Sequence, residues 1–231
     1  MSILRAVAVD KVYSTRGIET RALSNIDLTI NAGEFSALAG PSGSGKTTLL
    51  NLLGALDIPT AGQILLEDED LASLSPAALS DRRLHKLGFV FQAYNLIPVL
   101  SAAENVEFVL ELQGIKPKER RERSEALLER VGLEDMAQKR PLEMSGGQQQ
   151  RVAVARAIAS QPRIILADEP TANLDSTTAR NLLELMHGLN QDEGITFLFS
   201  SHDPLVLDRA NRRILLRDGQ IEGEEQGPRS P

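Results

Sequence analysis

A chain of 231 residues, 42% apolar and 25% charged, has the balance of an ordinary folded protein of one large domain or two modest ones. It has no cysteine, so neither a disulfide framework nor a thiolate metal site can be built, and no tryptophan. Its net charge of −7 offers neither a basic groove nor a stacking platform for bases, which argues against nucleic acid as a partner. No secretory leader follows Met1 and no stretch has the length needed to cross a bilayer, so a cytoplasmic protein is the expectation.

The predicted elements begin with a β-rich segment, Ala6–Tyr13, which leads into a polar loop over Ser14–Arg21. Asn25–Ile30 alternates apolar with polar residues, as a half-buried strand does. Asn31-Ala32-Gly33 reads as a turn that returns the next strand, Glu34–Ala39, beside it. After a glycine-rich loop, Leu49, Leu52, Leu53 and Leu56 fall on one helical face that packs on a sheet. Gln63–Glu67 and Gly88–Phe91 read as strands, and Ser75-Pro76 opens a short helix. From Ser101 to about Val131 the pattern is helical. Ser101 with Glu104 makes a capping box, and Lys116-Pro117 separates two helices. The basic cluster Lys116–Arg123 is interleaved with Glu119 and Glu122, the pattern of a solvated helix face. Ile164–Ala167 and Thr196–Phe199 are short apolar runs suited to parallel strands covered on both faces, with a helix over Ser176–Asn190 between them. Asp218-Gly219 joins Arg212–Arg217 to Gln220-Ile221 as a hairpin, and the polar stretch from Glu222 to Pro231 is expected to be a disordered tail.

Chemistry concentrates in Gly40-Pro41-Ser42-Gly43-Ser44-Gly45-Lys46-Thr47-Thr48, which fits the phosphate-binding loop pattern between a strand and a helix. Glycines there let successive backbone N–H groups approach a phosphate, and the following helix presents its N-terminus to the same anion. Lys46 would reach the β- and γ-phosphates, and the Thr47 hydroxyl would ligate the Mg²⁺ that bridges them. Ligands of an open parallel sheet bind beyond the carboxyl ends of its strands. Two further apolar strands end suitably: Ala167 runs into Asp168-Glu169, and Phe199 into Ser200-Ser201-His202. Asp168 is placed to hold the metal, Glu169 to act as base for the attacking water, and His202 to donate to the γ-phosphate. A second anion site is expected at Ser145-Gly146-Gly147-Gln148. Ser145 and Gln148 form a capping box there, and two glycines in a first helical turn, costly to the helix, point to close approach of another molecule.

Together these motifs resemble the ATP-binding subunits of ABC transporters, over about Arg5–Ile221. Gly40–Thr47 is similar to the Walker A motif, Gln92 to the Q-loop glutamine, Ser145–Gln148 to the family signature, and Ile164–Asp168 to Walker B with Glu169 as catalytic glutamate. Asn173-Leu174-Asp175 resembles the D-loop, His202 the switch histidine, and Tyr13 the aromatic that stacks on adenine. Met144 stands where the family usually has Leu, a volume-conserving change. Within the family the wording most resembles the lipoprotein-release and macrolide-export branch, although Ala172 and Ser200-Ser201-His202 depart from it. The resemblance implies an α/β fold: a phosphate-loop NTPase core with a parallel sheet, an N-terminal antiparallel β-subdomain, and a helical subdomain inserted at about 93–160. Residues 1–223 would form this single domain, with 224–231 as tail. It further implies ATP and Mg²⁺ as cofactors, with Thr47, Gln92 and Asp168 around the metal and Asp175 and the signature residues against nucleotide. A homodimer, or a pair with a homologue, would sandwich two ATP molecules and drive a membrane permease carrying a large extracytoplasmic domain. The protein would then sit peripherally on the cytoplasmic face of the membrane. A soluble ABC-type machine for DNA repair or translation, and a nucleotide-dependent switch that hardly turns over, are the alternatives.

Overall fold

The computed structural model describes residues 1–15 and 17–227. The chain opens with two long strands, β1 (Ser2–Thr15) and β2 (Ile18–Asn31), which pair antiparallel from Ser2↔Asn31 to Thr15↔Ile18. The polar stretch expected as a loop over Ser14–Arg21 is therefore mostly strand. Gly17, with φ +80°, sits in a tight reversal, and Arg16 lies outside the described residues. An exposed hairpin end is held by its backbone ladder, so it needs no apolar alternation to mark it.

β3 (Phe35–Ala39) is followed by α1 (Lys46–Leu53), β4 (Ala61–Leu66), the two-residue β5 (Glu69–Asp70), α2 (Pro76–Lys86) and β6 (Leu87–Phe91). Next come α3 (Ala102–Leu112), α4 (Pro117–Arg130) and α5 (Gly146–Ala159). The chain closes with β7 (Ile164–Asp168), α6 (Ser176–Glu193), β8 (Thr196–Ser201), the single turn α7 (Pro204–Leu207), β9 (Arg212–Arg217) and β10 (Gln220–Gln226). The strands form two sheets. One is antiparallel in the order β2-β1-β4-β5. The other has the order β10-β9-β3-β8-β7-β6 and is parallel except for β10.

β3 thus pairs with β8 and β9, not with β2 as the turn at Gly33 suggested. Every residue of β3 is buried, whereas β2 alternates buried with exposed. A strand apolar on both faces is stable only in the middle of a covered sheet. The turn itself exists, with Gly33 at φ +76° and its carbonyl accepting from Asn190 Nδ2 at 3.0 Å. Strand periodicity then divides the core. Phe35, Ala37, Ile165, Ala167, Phe197 and Phe199 face a layer that includes α3, α5 and α6, while Leu38, Leu166 and Leu198 face α1 and the antiparallel sheet.

Two further expectations change. Leu56 is half exposed and lies beyond α1, because the helix stops at Gly54. A Cβ at Gly54 would lie 2.6 Å from the Phe89 ring, so the chain passes too close to β6 there for any side chain. Glu222–Gln226, expected as tail, instead continue β10, where both Glu224 oxygens accept from Arg212 at 2.8 and 2.6 Å across the strand pair. Residues 228–231 lie outside the described residues. The Ser101–Glu104 capping box and the break at Lys116-Pro117 stand where expected.

Candidate active site

β3, β6, β7 and β8 run parallel, so their carboxyl ends share one edge of the sheet. Past that edge lies a cleft of about 630 Å³ whose lining includes Lys46, Thr47, Gln92, Glu169 and His202. Residues drawn from positions 46 to 202 meet there because each directly follows a strand or the loop leaving one.

The loop from β3 to α1 is shaped by its glycines. Gly43 and Gly45 have φ +80° and +103°, and a Cβ on Gly40 would lie 2.0 Å from the Leu216 carbonyl oxygen. The loop wraps the Lys46 ammonium, which is almost wholly buried and donates to the carbonyls of Gly40 and Pro41 at 2.8 and 3.0 Å. α1 has no side-chain cap and no acidic residue in its first turn, so its N-terminal amides are free of competing acceptors. Ser44 Oγ is buried without a partner among the described residues. These features fit a polyphosphate.

Thr47 Oγ1 donates to Asp168 Oδ1 at 3.1 Å. Among the described residues no group of three or more His, Cys, Asp or Glu side chains could cage a metal. A cation here would have a hydroxyl, one carboxylate and phosphate oxygens, the set that suits Mg²⁺.

Glu169 has φ +44°, a left-handed conformation uncommon for a residue with a Cβ. Its backbone N–H donates to the Ser200 carbonyl at 2.8 Å. Both carboxylate oxygens are engaged: Oε2 accepts from Ser201 Oγ at 2.9 Å, and Oε1 lies 2.7 Å from His202 Nδ1. Nδ1–H donating to the carboxylate leaves Nε2 an acceptor until the ring takes a second proton. Thr171 Oγ1 donates to Asp203 Oδ2 and Asn173 Nδ2 to the Gln92 carbonyl, both at 2.9 Å, so the ends of β6, β7 and β8 are laced together.

Other sequence-flagged residues lie outside this lining. Tyr13 donates to Asp57 Oδ2 at 2.8 Å and has Lys11 Nζ 4.8 Å from its ring centroid. Burial, the Asp57 hydrogen bond and the Asp57 charge push its hydroxyl pKa upward. Ser145, Gly146, Gly147 and Gln148 open α5 with a complete capping box: Ser145 N–H donates to Gln148 Oε1 at 2.8 Å, and Gln148 N–H to Ser145 Oγ at 3.3 Å. Asp175 caps α6 through the amides of Thr177 and Thr178. The Thr178 hydroxyl and those amides hold its carboxyl below the usual range.

Close approach of another molecule is not needed to explain Gly146 and Gly147, because crowding within this chain already requires both. A Cβ on Gly146 would lie 2.6 Å from the Tyr94 hydroxyl, and one on Gly147 would lie 2.3 Å from the Thr178 methyl.

The cleft also contains residues not flagged as functional: Thr20, Arg21 and Ala22 of β2, and Asp218 and Gly219 of the β9–β10 turn. The Gly219 N–H donates to the Ser44 carbonyl at 3.0 Å, so this turn buttresses the phosphate loop from behind. Its only sequence signal is the Asp-Gly pair, which marks a turn and says nothing of its neighbour.

Fold and cleft together define a phosphate-loop nucleoside triphosphatase. A family model described as "ABC transporter" matches residues 23–172. The chain is 45% identical to an ABC transporter ATP-binding protein of Thermotoga maritima, covering 97% of this chain and 95% of that one. It is 45% identical to a lipoprotein-releasing system ATP-binding protein LolD of Rhodopseudomonas palustris (96% and 99% covered). It is 44% identical to the macrolide export ATP-binding/permease protein MacB of Syntrophobacter fumaroxidans, of which it spans 32%. A dimeric ATP-binding cassette solved in a post-hydrolysis state with ADP and Pi superposes with a TM-score of 0.90 at 42% identity, covering 97% of this chain and 98% of that one. The chain belongs to the ABC transporter family, as an ATP-binding, ATP-hydrolysing subunit of the kind that serves LolD- and MacB-type transporters. Among the described residues no helix is long and apolar enough to cross a membrane.

Proposed function

We propose that two copies of this chain close around two ATP molecules and drive a separate membrane permease with a large extracytoplasmic domain, from the cytoplasmic face of the membrane. The carrying observation is the division of the anion-binding features. Lys46, Thr47, Gln92, Glu169 and His202 share one cleft, while the N-terminus of α5, capped by its own Ser145 and Gln148 side chains, stands outside it. A site split in this way is completed by a second copy that presents Ser145, Gly146, Gly147 and Gln148 to the bound triphosphate. Asp175, at the N-terminus of the neighbouring α6, belongs to the same opposing surface.

Within one copy, the loop from Gly40 to Thr48 cradles the phosphates, and Lys46 supplies the compensating charge. Thr47, Asp168 and Gln92 would hold Mg²⁺, which would supply charge neutralisation at the phosphate oxygens. Glu169 accepts the proton of the attacking water. His202, held by Glu169, serves as donor to the terminal phosphate once its ring carries both protons. Tyr13 offers its face to adenine beside the cleft.

The region from about 93 to 160 acts as a helical subdomain that grips the permease. An apolar cleft of about 510 Å³ supports this, lined by Leu56, Phe89, Phe108, Leu112 and Arg156 among others, with Phe108 and Leu112 exposed. Arg156 donates to the carbonyls of Tyr94 and Asn95, just after Gln92, so the permease surface and the site share a segment.

Size-exclusion chromatography with light scattering tests the reading. With Mg-ATP, a Glu169→Gln variant elutes as a dimer, and adding Ser145→Arg returns it to monomer while each copy still binds ATP. A dimer that survives Ser145→Arg would place the partner's nucleotide elsewhere.

A further inference from the structure

We infer that Gln150 is a positioning residue that fixes Glu169 and Gln92 relative to the helix opened by Ser145. Gln150 lies one turn into α5 and is wholly buried. Its Nε2 donates to the Pro170 carbonyl at 2.8 Å and, more weakly, to the Phe91 carbonyl at 3.4 Å. Pro170 directly follows Glu169, and Phe91 directly precedes Gln92. One amide therefore bridges the ends of β6 and β7 and ties both to α5.

The residue type sharpens the case. The inward-facing residues further along α5, Val152, Ala153, Val154, Ala155, Ala157 and Ile158, are small or apolar, so an apolar residue at 150 would pack without desolvation cost. Gln150 Oε1 is buried with no partner among the described residues, so half of the amide is left unsatisfied. The Pro170 carbonyl takes no other hydrogen bond among the described residues, while the Phe91 carbonyl also accepts from Tyr94 N–H at 3.1 Å. The bond to Pro170 is therefore the one with no substitute. It holds the peptide next to Glu169, whose backbone is already in the left-handed region. Without that anchor, the peptide beside Glu169 loses its direct tie to the helix that carries Ser145, while the segment after Gln92 keeps one through Arg156.

The inference rests on the proposed role of Glu169, and the experiment separates the two. Steady-state ATPase of the full chain is measured for wild type, Glu169→Gln, and Gln150→Met, which keeps the length and burial of the side chain but removes the donor. Gln150→Met should fold, keep KM for ATP within about twofold, and lose about tenfold or more in kcat, the pattern of an interaction that matters only in the transition state. A folded Gln150→Met with kcat within about twofold of wild type overturns the inference, whatever its melting temperature, because packing alone would then be its role. If Glu169→Gln keeps wild-type turnover, the proposed base is wrong and the positioning role of Gln150 falls with it, a failure told apart by which variant shows it.

Should Gln150→Met fail to fold, Gln150→Glu supplies the readout. Burial raises the pKa of the introduced carboxyl, and only its protonated form donates to Pro170. Its kcat relative to wild type should therefore be highest near about pH 6 and fall as the pH rises toward about 8. A flat ratio across that range overturns the inference.

Discussion

Replacing Glu169 with Gln removes a proton acceptor while leaving its surroundings nearly intact. The carboxylate accepts from Ser201 Oγ at 2.9 Å and faces His202 Nδ1 at 2.7 Å. A Gln amide fits the same places, with Oε1 accepting from Nδ1–H and Nε2 donating to Ser201 Oγ. The Ser201 hydroxyl already accepts from the Asp203 N–H at 3.1 Å and keeps lone-pair capacity for this reversed bond. Two bonds are exchanged for two of neutral type, so stability should change by no more than about 1 kcal/mol. The loss falls on chemistry. An amide is not a base at neutral pH, and a positioned general base contributes about 10²- to 10⁴-fold to rate. Phosphate release at saturating Mg-ATP should therefore drop by that factor, with nucleotide affinity and thermal midpoint close to wild type. Turnover within about threefold of wild type, a small fraction of a general base's contribution, would refute the assignment of Glu169. A loss of turnover accompanied by collapse of the melt would refute the claim that the geometry is preserved.

Three other outcomes follow from the same contacts. Lys46→Met removes the buried ammonium held by Gly40 and Pro41. It should weaken binding of a fluorescent ATP analogue by about 10- to 100-fold, the worth of one or two charge-assisted hydrogen bonds. Gly147→Ala should destabilise by about 1 to 3 kcal/mol in urea melts, since its new methyl meets the Thr178 methyl. Adding Thr178→Ser, which removes that methyl and keeps the hydroxyl on Asp175, should restore much of the loss. Asp57 is pulled upward by burial, but hydrogen bonds from Lys11, Tyr13 and the Ile58 amide outweigh this and leave its pKa below the usual value. Its stabilisation is therefore present above the ordinary carboxyl pKa and is lost as pH falls through the lower folded value. Asp57→Asn should melt lower than wild type at neutral pH and show a shallower decline on acidification, with the two melting curves converging in strong acid.

The phosphate loop was legible because its demands are local. Consecutive residues must turn tightly, expose backbone amides and place Lys46 and Thr47, and each demand names a residue type. The ends of β7 and β8 were legible for a related reason: a fully apolar run followed at once by Asp168-Glu169 or Ser201-His202 marks both a buried strand and its polar exit. The placement of β3 was not, since a turn at Gly33 looks the same whether the next strand joins the same sheet or another. The reason for Gly146 and Gly147 within this chain was not legible, because Tyr94 and Thr178, which crowd them, are 52 and 31 positions away in the numbering. Gln150 carried no signal beyond its place in a polar helix start, and its meaning depends on the carbonyl of Pro170.

By itself, the sequence determined the α/β class, the helical stretch between Ser101 and Val131, the phosphate loop and the acidic and histidine strand ends, all features carried by adjacent residues or by helix and strand periodicity. The tertiary structure decided which strands are neighbours. It also decided that β2 and the Asp218-Gly219 turn wall the nucleotide cleft, that Glu169 is held by Ser201 and His202, and that α5 is tied to both strand ends by one amide. Those relations join residues from tens to nearly two hundred positions apart, brought together only when burial of β3, β7 and β8 between two layers fixes the order of the sheet.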